Sequence, residues 1–156
     1  RLQFEGGADI VMIFDTAAGE LSPATYRSQI APDLVTLAHA FPSRLGYYAK
    51  GSHPSQVPCI ADAPWAGMGF DARWDLASVL TTRPAPGFVQ GNFDPALLLL
   101  ERGDLDQAIG AFIEPLRRLD VSSRRGWVCG LGHGVLPGTP ADHVRAFVGA
   151  VREAFQ

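Results

Sequence analysis

His133 stands between two glycines, in the run Gly130-Leu131-Gly132-His133-Gly134. Glycine on both sides lets the backbone take a tight path and brings the imidazole close to a bulky ligand. Thr16 follows Asp15, and its hydroxyl can donate to a carboxylate or satisfy local backbone. Lys50 could counter ligand carboxylates, although a structural pair with Asp15 or Asp71 is the stronger expectation. Arg73 is a rim cation of the same kind. Asp94 before Pro95 has the pattern of a helix N-cap, and Asn92 is expected to tie its loop together. A set of cationic and hydrogen-bonding groups of this kind can hold an anion through charge-assisted hydrogen bonds.

Each of these residues falls where a short apolar run ends, so the runs must position them. Five segments read as buried parallel strands: residues 8–15, 44–51, 65–71, 87–92 and 126–134. Continuous apolar runs suit strands covered on both faces. Helical patterns lie between them. Ser22 and Pro23 open one, with Tyr26, Ile30, Leu34 and Leu37 on a face and Pro32 expected to kink it. A second carries Leu105, Ile109, Phe112, Ile113 and Leu116, with Asp104 as its candidate cap. A third has Thr139 as cap, Pro140 in the first turn, and Val144, Phe147, Val148, Val151 and Phe155 on one face. Residues 75–82 read as a short helix, and the stretch around Pro54 and Pro58 as a turn or two.

Strands alternating with helices imply βαβ units and a parallel sheet, so the fold class is α/β. Pattern alone does not separate an open sheet from a barrel. No GxGxxG follows the first strand, so nothing specific supports dinucleotide binding. In either architecture function sits at the C-terminal ends of the strands. Those ends are rich in polar groups and glycine, which points to an enzyme with a polar pocket.

Composition narrows the classes. Hydrophobic residues make up 47% and charged residues 19%, the balance of a folded chain. A formal charge of −3 speaks against nucleic acid as a partner, and no apolar run approaches the roughly 20 residues of a membrane span. Two cysteines, Cys59 and Cys129, are too few for a disulfide framework, so a cytoplasmic setting is expected. At 156 residues the chain is short for a complete eight-stranded barrel, which needs roughly 250. It opens on Arg1 in RLQFEGGADIVMIFD, which reads as the end of a helix running into a strand. The expectation is a piece of a larger domain.

Taken in order, the strand ends resemble the uroporphyrinogen decarboxylase family. IFDTAAGELSP is similar to its F-[DE]-[ST] motif, YYAKG to F-[AT]-K-G, and MGFD to G-L-D. VQGNFDPALL is similar to L-Q-G-N-x-D-P, and GLGHGVLPGTPADHV to N-L-G-H-G-x-x-P-x-[TV]-P-x-x-V. Order and approximate spacing agree over nearly the whole chain. The resemblance implies a partial (β/α)8 TIM barrel: strands four to eight with their helices, residues 1–156 being the C-terminal part of one barrel domain. The pattern departs at Ala72-Arg73, where a Trp–Thr pair is usual, and at Gly130, where Asn is usual.

That family removes the four acetate carboxyl groups of uroporphyrinogen, giving coproporphyrinogen in haem biosynthesis. By resemblance no metal or organic cofactor is implied, because the pyrrole is the electron sink. The resemblance assigns substrate binding to Thr16 and His133 and packing against the macrocycle to Phe14. It places the carboxylate that stabilises the cationic intermediate in the strands before these five, so this chain alone is expected to be inactive. A homodimer is expected of the full-length enzyme. Two alternatives stand beside this reading. One is a zinc-dependent corrinoid or thiol methyltransferase, drawing ligands from His53, Cys59 and Cys129, though the expected short H-x-C spacing is missing. The other is a non-catalytic half-barrel assembly module.

Overall fold

Each apolar run becomes a strand in the computed structural model, which describes residues 1–156. A short helix α1 (Leu2–Glu5) leads into β1 (Val11–Asp15). A 3-10 turn (Ala18–Glu20), α2 (Pro23–Thr25), a π-helical turn (Tyr26–Ile30) and α3 (Ala31–Ala40) follow. Then come β2 (Leu45–Ala49), a 3-10 turn (Val57–Cys59), β3 (Gly67–Gly69) and α4 (Leu76–Thr82). The chain continues with β4 (Phe88–Phe93), a 3-10 turn (Pro95–Leu99), α5 (Arg102–Arg117), α6 (Val121–Arg124), β5 (Trp127–Leu131) and α7 (Ala141–Ala154).

All five strands are parallel, and their order in the sheet is β1-β2-β3-β4-β5. A doubly wound open sheet reverses its order at a switch point. A sheet that follows chain order without reversal is an arc of a (β/α) barrel. The topology therefore decides what pattern alone left open.

Side chains alternate across the arc. Ile13, Tyr47, Met68, Phe70 and Val89 pack into one core with Ala31, Leu34 and Ala38 of α3 and Val79 and Leu80 of α4. A second core joins Phe93 and Leu131 to Leu105, Ile109 and Ile113 of α5 and Phe147 of α7. Phe93 and Phe147 stack there at 4.6 Å between ring centroids. Full burial of a side chain such as Leu80, Leu98 or Leu105 stabilises the fold by about 1.5–3 kcal/mol. The opposite face carries a row fixed by register: Phe14, Tyr48, Gly69, Gln90 and Val128. Phe14 is 68% exposed and Val128 47% exposed at the two ends of this row.

Local signals explain most element boundaries. The Ser22 hydroxyl accepts from Thr25 N at 3.1 Å and caps α2. Asp75 caps α4 by accepting from the backbone N–H of Ala77 and Ser78. Pro32 falls in the first turn of α3, directly after the π-helical turn, so the expected kink is a widened turn. Three expectations are corrected. Asp104 lies inside the first turn of α5, whose N-cap position is Glu101. Thr139 does not cap α7; Pro140 holds the N-cap position, and the buried Thr139 hydroxyl has no partner. Leu37 and Val148 turn outward and are exposed. No helix is long and apolar enough to cross a membrane.

Candidate active site

The C-terminal ends of β2, β3 and β5 converge on an open cleft of about 190 Å3, with Asp94 and Pro95 after β4 as its fourth wall. Tyr48, Lys50, Asp71, Arg73, Gly132 and His133 line it.

Asp71 organises the floor. It is buried, and its Oδ2 accepts from Gly51 N at 2.6 Å while its Oδ1 accepts from Arg73 N at 3.0 Å. The Arg73 guanidinium approaches the same carboxylate, with Nε 3.5 Å from Oδ2. The carboxylate thus ties the end of β2 to the end of β3. Asn92 continues the tie to β4: its Nδ2 donates to the carbonyls of Asp71 and Trp74, each at 2.8 Å. Asn92 therefore binds its loop together, and Asp94 caps the next turn by accepting from Ala96 N at 2.9 Å, both as the sequence suggests.

His133 is held by backbone. Gly132 N donates to Phe93 O at 2.8 Å, and the Tyr48 hydroxyl donates to Gly132 O at 2.7 Å. A Cβ at position 132 would lie 2.4 Å from Ala72 N, so only glycine permits this approach of the β5 loop to the β3 loop. Burial pushes the Tyr48 phenol above its ordinary value; Asp71 adds to this and Arg73 opposes it. Tyr48 went unnoticed in the sequence, because two adjacent tyrosines in an apolar strand do not reveal which one faces the axis. Strand alternation supplies the signal, since Tyr47 belongs to the helix-side core and Tyr48 must face the other way.

Lys50 departs from expectation. Neither Asp15 nor Asp71 pairs with it. Asp15 accepts instead from Tyr47 OH at 3.0 Å and from Ala17 N at 3.1 Å, and Tyr26 OH donates in turn to Tyr47 OH at 3.2 Å. Burial raises both of these phenols above the ordinary tyrosine value. Lys50 stands exposed at the cleft without an acidic partner. Thr16 does not line the cleft. It leaves the neighbouring strand end, where Lys50 N donates to Asp15 O at 2.9 Å, and its exposed hydroxyl bonds no protein group. Phe14 bridges the distance, with its ring centroid 5.8 Å from that of Tyr48.

A larger apolar cleft of about 440 Å3 lies on the helix side, between α4 and α5. Its acids, Asp75 and Asp94, are engaged as helix caps, so the chemistry points to the smaller one. Cys129 packs in the second core, where burial pushes its thiol up to about 12. His53 lies against Ser55 Oγ at 2.8 Å, and nowhere do three His, Cys, Asp or Glu side chains come together as metal ligands.

A family model described as uroporphyrinogen decarboxylase matches residues 1–154. The chain belongs to the uroporphyrinogen decarboxylase family. A uroporphyrinogen decarboxylase of Pelobacter propionicus is 32% identical over 155 residues, covering 96% of this chain and 43% of the relative. One of Synechococcus sp. is 35% identical over 153 residues, covering 94% and 41%. One of Thermus thermophilus is 30% identical over 159 residues, covering 98% and 44%. The chain thus spans about two fifths of the length of these curated relatives. Among solved structures, a methyltransferase from Methanosarcina mazei superposes with a TM-score of 0.76 at 21% identity, covering 98% of this chain and 44% of that one. That likeness is one of fold. It agrees with an arc of a barrel, a fold whose sites sit at the C-terminal ends of its strands.

Proposed function

We propose that these residues form the C-terminal part of a decarboxylase that converts uroporphyrinogen to coproporphyrinogen by removing its acetate carboxyl groups. The observation that carries the reading is the set of donors without protein acceptors around one cleft: the Lys50 ammonium, the terminal nitrogens of Arg73 and the His133 imidazole. Such groups suit a polycarboxylate ligand. His133 donates to a substrate carboxylate or pyrrole group, Thr16 donates to a carboxylate from the β1 side, and Phe14 with Tyr48 offers an apolar wall to the macrocycle. Protonation of a pyrrole carbon then gives a cation, and loss of CO2 returns the electron pair to the ring and leaves an exocyclic methylene, which takes a proton to become methyl as the ring carbon gives one up. Each strand-end carboxylate already accepts from the protein, Asp15 from Ala17 N and Tyr47 OH, Asp71 from Gly51 N and Arg73 N, and Asp94 from Ala96 N, so none is set aside for that cation. The chain alone is therefore inactive in this reading. As a family member of full length it works as a cytoplasmic homodimer.

Incubation with uroporphyrinogen, with products separated by carboxylate number, tests this. A polypeptide of the relatives' length carrying these residues should yield coproporphyrinogen, and the 156-residue chain alone should yield none. Failure of the folded longer polypeptide would sink the decarboxylase reading, and turnover by the short chain would sink its inactivity. The exposed apolar side chains Phe14 and Val128 on the open face favour self-association of the isolated chain, which light scattering would detect.

A further inference from the structure

We propose that Arg73 is a carboxylate-binding residue of the cleft, pre-aimed by Asp71 and Gly51 to take one carboxylate arm of the ligand in a bidentate pair. The proposal rests on the tetrapyrrole reading above and adds a residue to it. Three observations carry it.

The residue is anchored at both ends. Its backbone N–H donates to Asp71 Oδ1 at 3.0 Å, and its Nε lies 3.5 Å from Asp71 Oδ2. The guanidinium plane then rests on the end of β2. A Cβ built on Gly51 would sit 2.8 Å from one terminal nitrogen and 3.2 Å from the other. Gly51 also has φ +69°, so the position favours glycine twice over.

The binding end is free. Neither terminal nitrogen has a protein acceptor, and the side chain is 70% exposed towards the cleft. Two N–H donors in a fixed fork match the two oxygens of a carboxylate. The ion pair to Asp71 and the seat over Gly51 restrict its rotamers, which lowers the freedom lost on binding an anion.

The surroundings favour an anion. Lys50 and His133 share the cleft and have no acidic partner. Two carboxylates also face it. Asp71 is occupied by Gly51 N and Arg73, and Asp94 by the cap it makes to Ala96. Neither competes fully for the free edge of the guanidinium.

Equilibrium binding of three porphyrins, read by fluorescence, tests the assignment: octacarboxylate uroporphyrin, tetracarboxylate coproporphyrin and a dicarboxylate porphyrin. The unaltered chain should bind more tightly as carboxylates are added. Arg73→Gln should weaken uroporphyrin binding about tenfold, the scale of a lost charge-assisted pair, and Arg73→Lys should recover part of it. Arg73→Gln keeps the backbone bond to Asp71, so its unfolding midpoint should stay near that of the unaltered chain. Uroporphyrin binding that is unchanged in Arg73→Gln overturns the role of Arg73 alone. An unaltered chain that binds none of the porphyrins, or binds all three alike, overturns the tetrapyrrole reading and this proposal with it.

Discussion

The Tyr48 hydroxyl donates to the carbonyl of Gly132 at 2.7 Å, joining residues 84 apart in sequence across the mouth of the cleft. The accepting carbonyl belongs to the residue immediately before His133, so the bond fixes where the imidazole leaves the β5 loop. Tyr48→Phe should cost about 1 kcal/mol of stability, the net worth of one hydrogen bond, with the acceptor open to water. Urea unfolding measures that. The same variant should bind uroporphyrin more weakly through a looser His133; unchanged affinity would mean that the loop needs no such tie.

His133→Ala removes an exposed side chain that packs in neither core. Stability should stay within about 0.5 kcal/mol. Affinity for uroporphyrin, and turnover in a polypeptide of the relatives' length, should fall about tenfold or more, as for a lost charge-assisted hydrogen bond. Unaffected turnover would remove His133 from the site.

Asp71→Asn should destabilise the chain by about 1–3 kcal/mol. The amide keeps one acceptor where the carboxylate had two, and Gly51 N or Arg73 N loses its partner in a buried turn. Circular-dichroism melting reads the loss. Asp71→Asn melting with the parent would show that water satisfies those donors equally well.

Gly132→Ala should be among the most damaging small substitutions, because its methyl meets backbone at Ala72 rather than a side chain that can turn away. Overpacking of this kind costs about 1–3 kcal/mol. An unaltered melting midpoint would show that the two loops can separate without penalty.

The Cys129 thiol, ordinarily near 9.0 and pushed up to about 12 by burial, should resist thiol reagents until the chain unfolds. The linkage has a definite sign. Between these values the unfolded thiol has lost its proton and the folded one keeps it, so stability is full below about pH 9 and declines as pH rises towards 12. Tyr26, Tyr47 and Tyr48, also shifted upward by burial, steepen the same alkaline limb. Cys129→Ala should flatten the decline; an identical pH profile would show that the tyrosines account for it alone.

All five strands were legible because buried parallel strands announce themselves as apolar runs closed by Gly, Asp or Asn. Local pattern did not carry which strand neighbours which, since strand order is a tertiary property; the family resemblance supplied it, by implying strands four to eight of a barrel. The misplaced caps have a local cause: Thr139 and Asp104 are good capping types, but the helix is capped where the backbone allows, one residue after Thr139 and three before Asp104. Lys50 was misread for a different reason. Asp71 turns back on its own loop, accepting from the residue two positions on, and so is spent before any lysine reaches it. The cleft residues themselves were readable as strand ends, while the partner that holds His133 in place was not.

The unbroken strand order also governs how the chain can assemble. Each strand pairs with the one just before it, so every βα unit can dock as soon as it is made, on a template already present. The contacts gathered at each step span short loops and lose little chain entropy. The cleft cannot form on that schedule. Its walls come from β2 and β5, and the Tyr48–Gly132 bond waits for the last strand to arrive. A ligand held by that cleft would thus report the final folding event, and would be silent while the earlier units are already native.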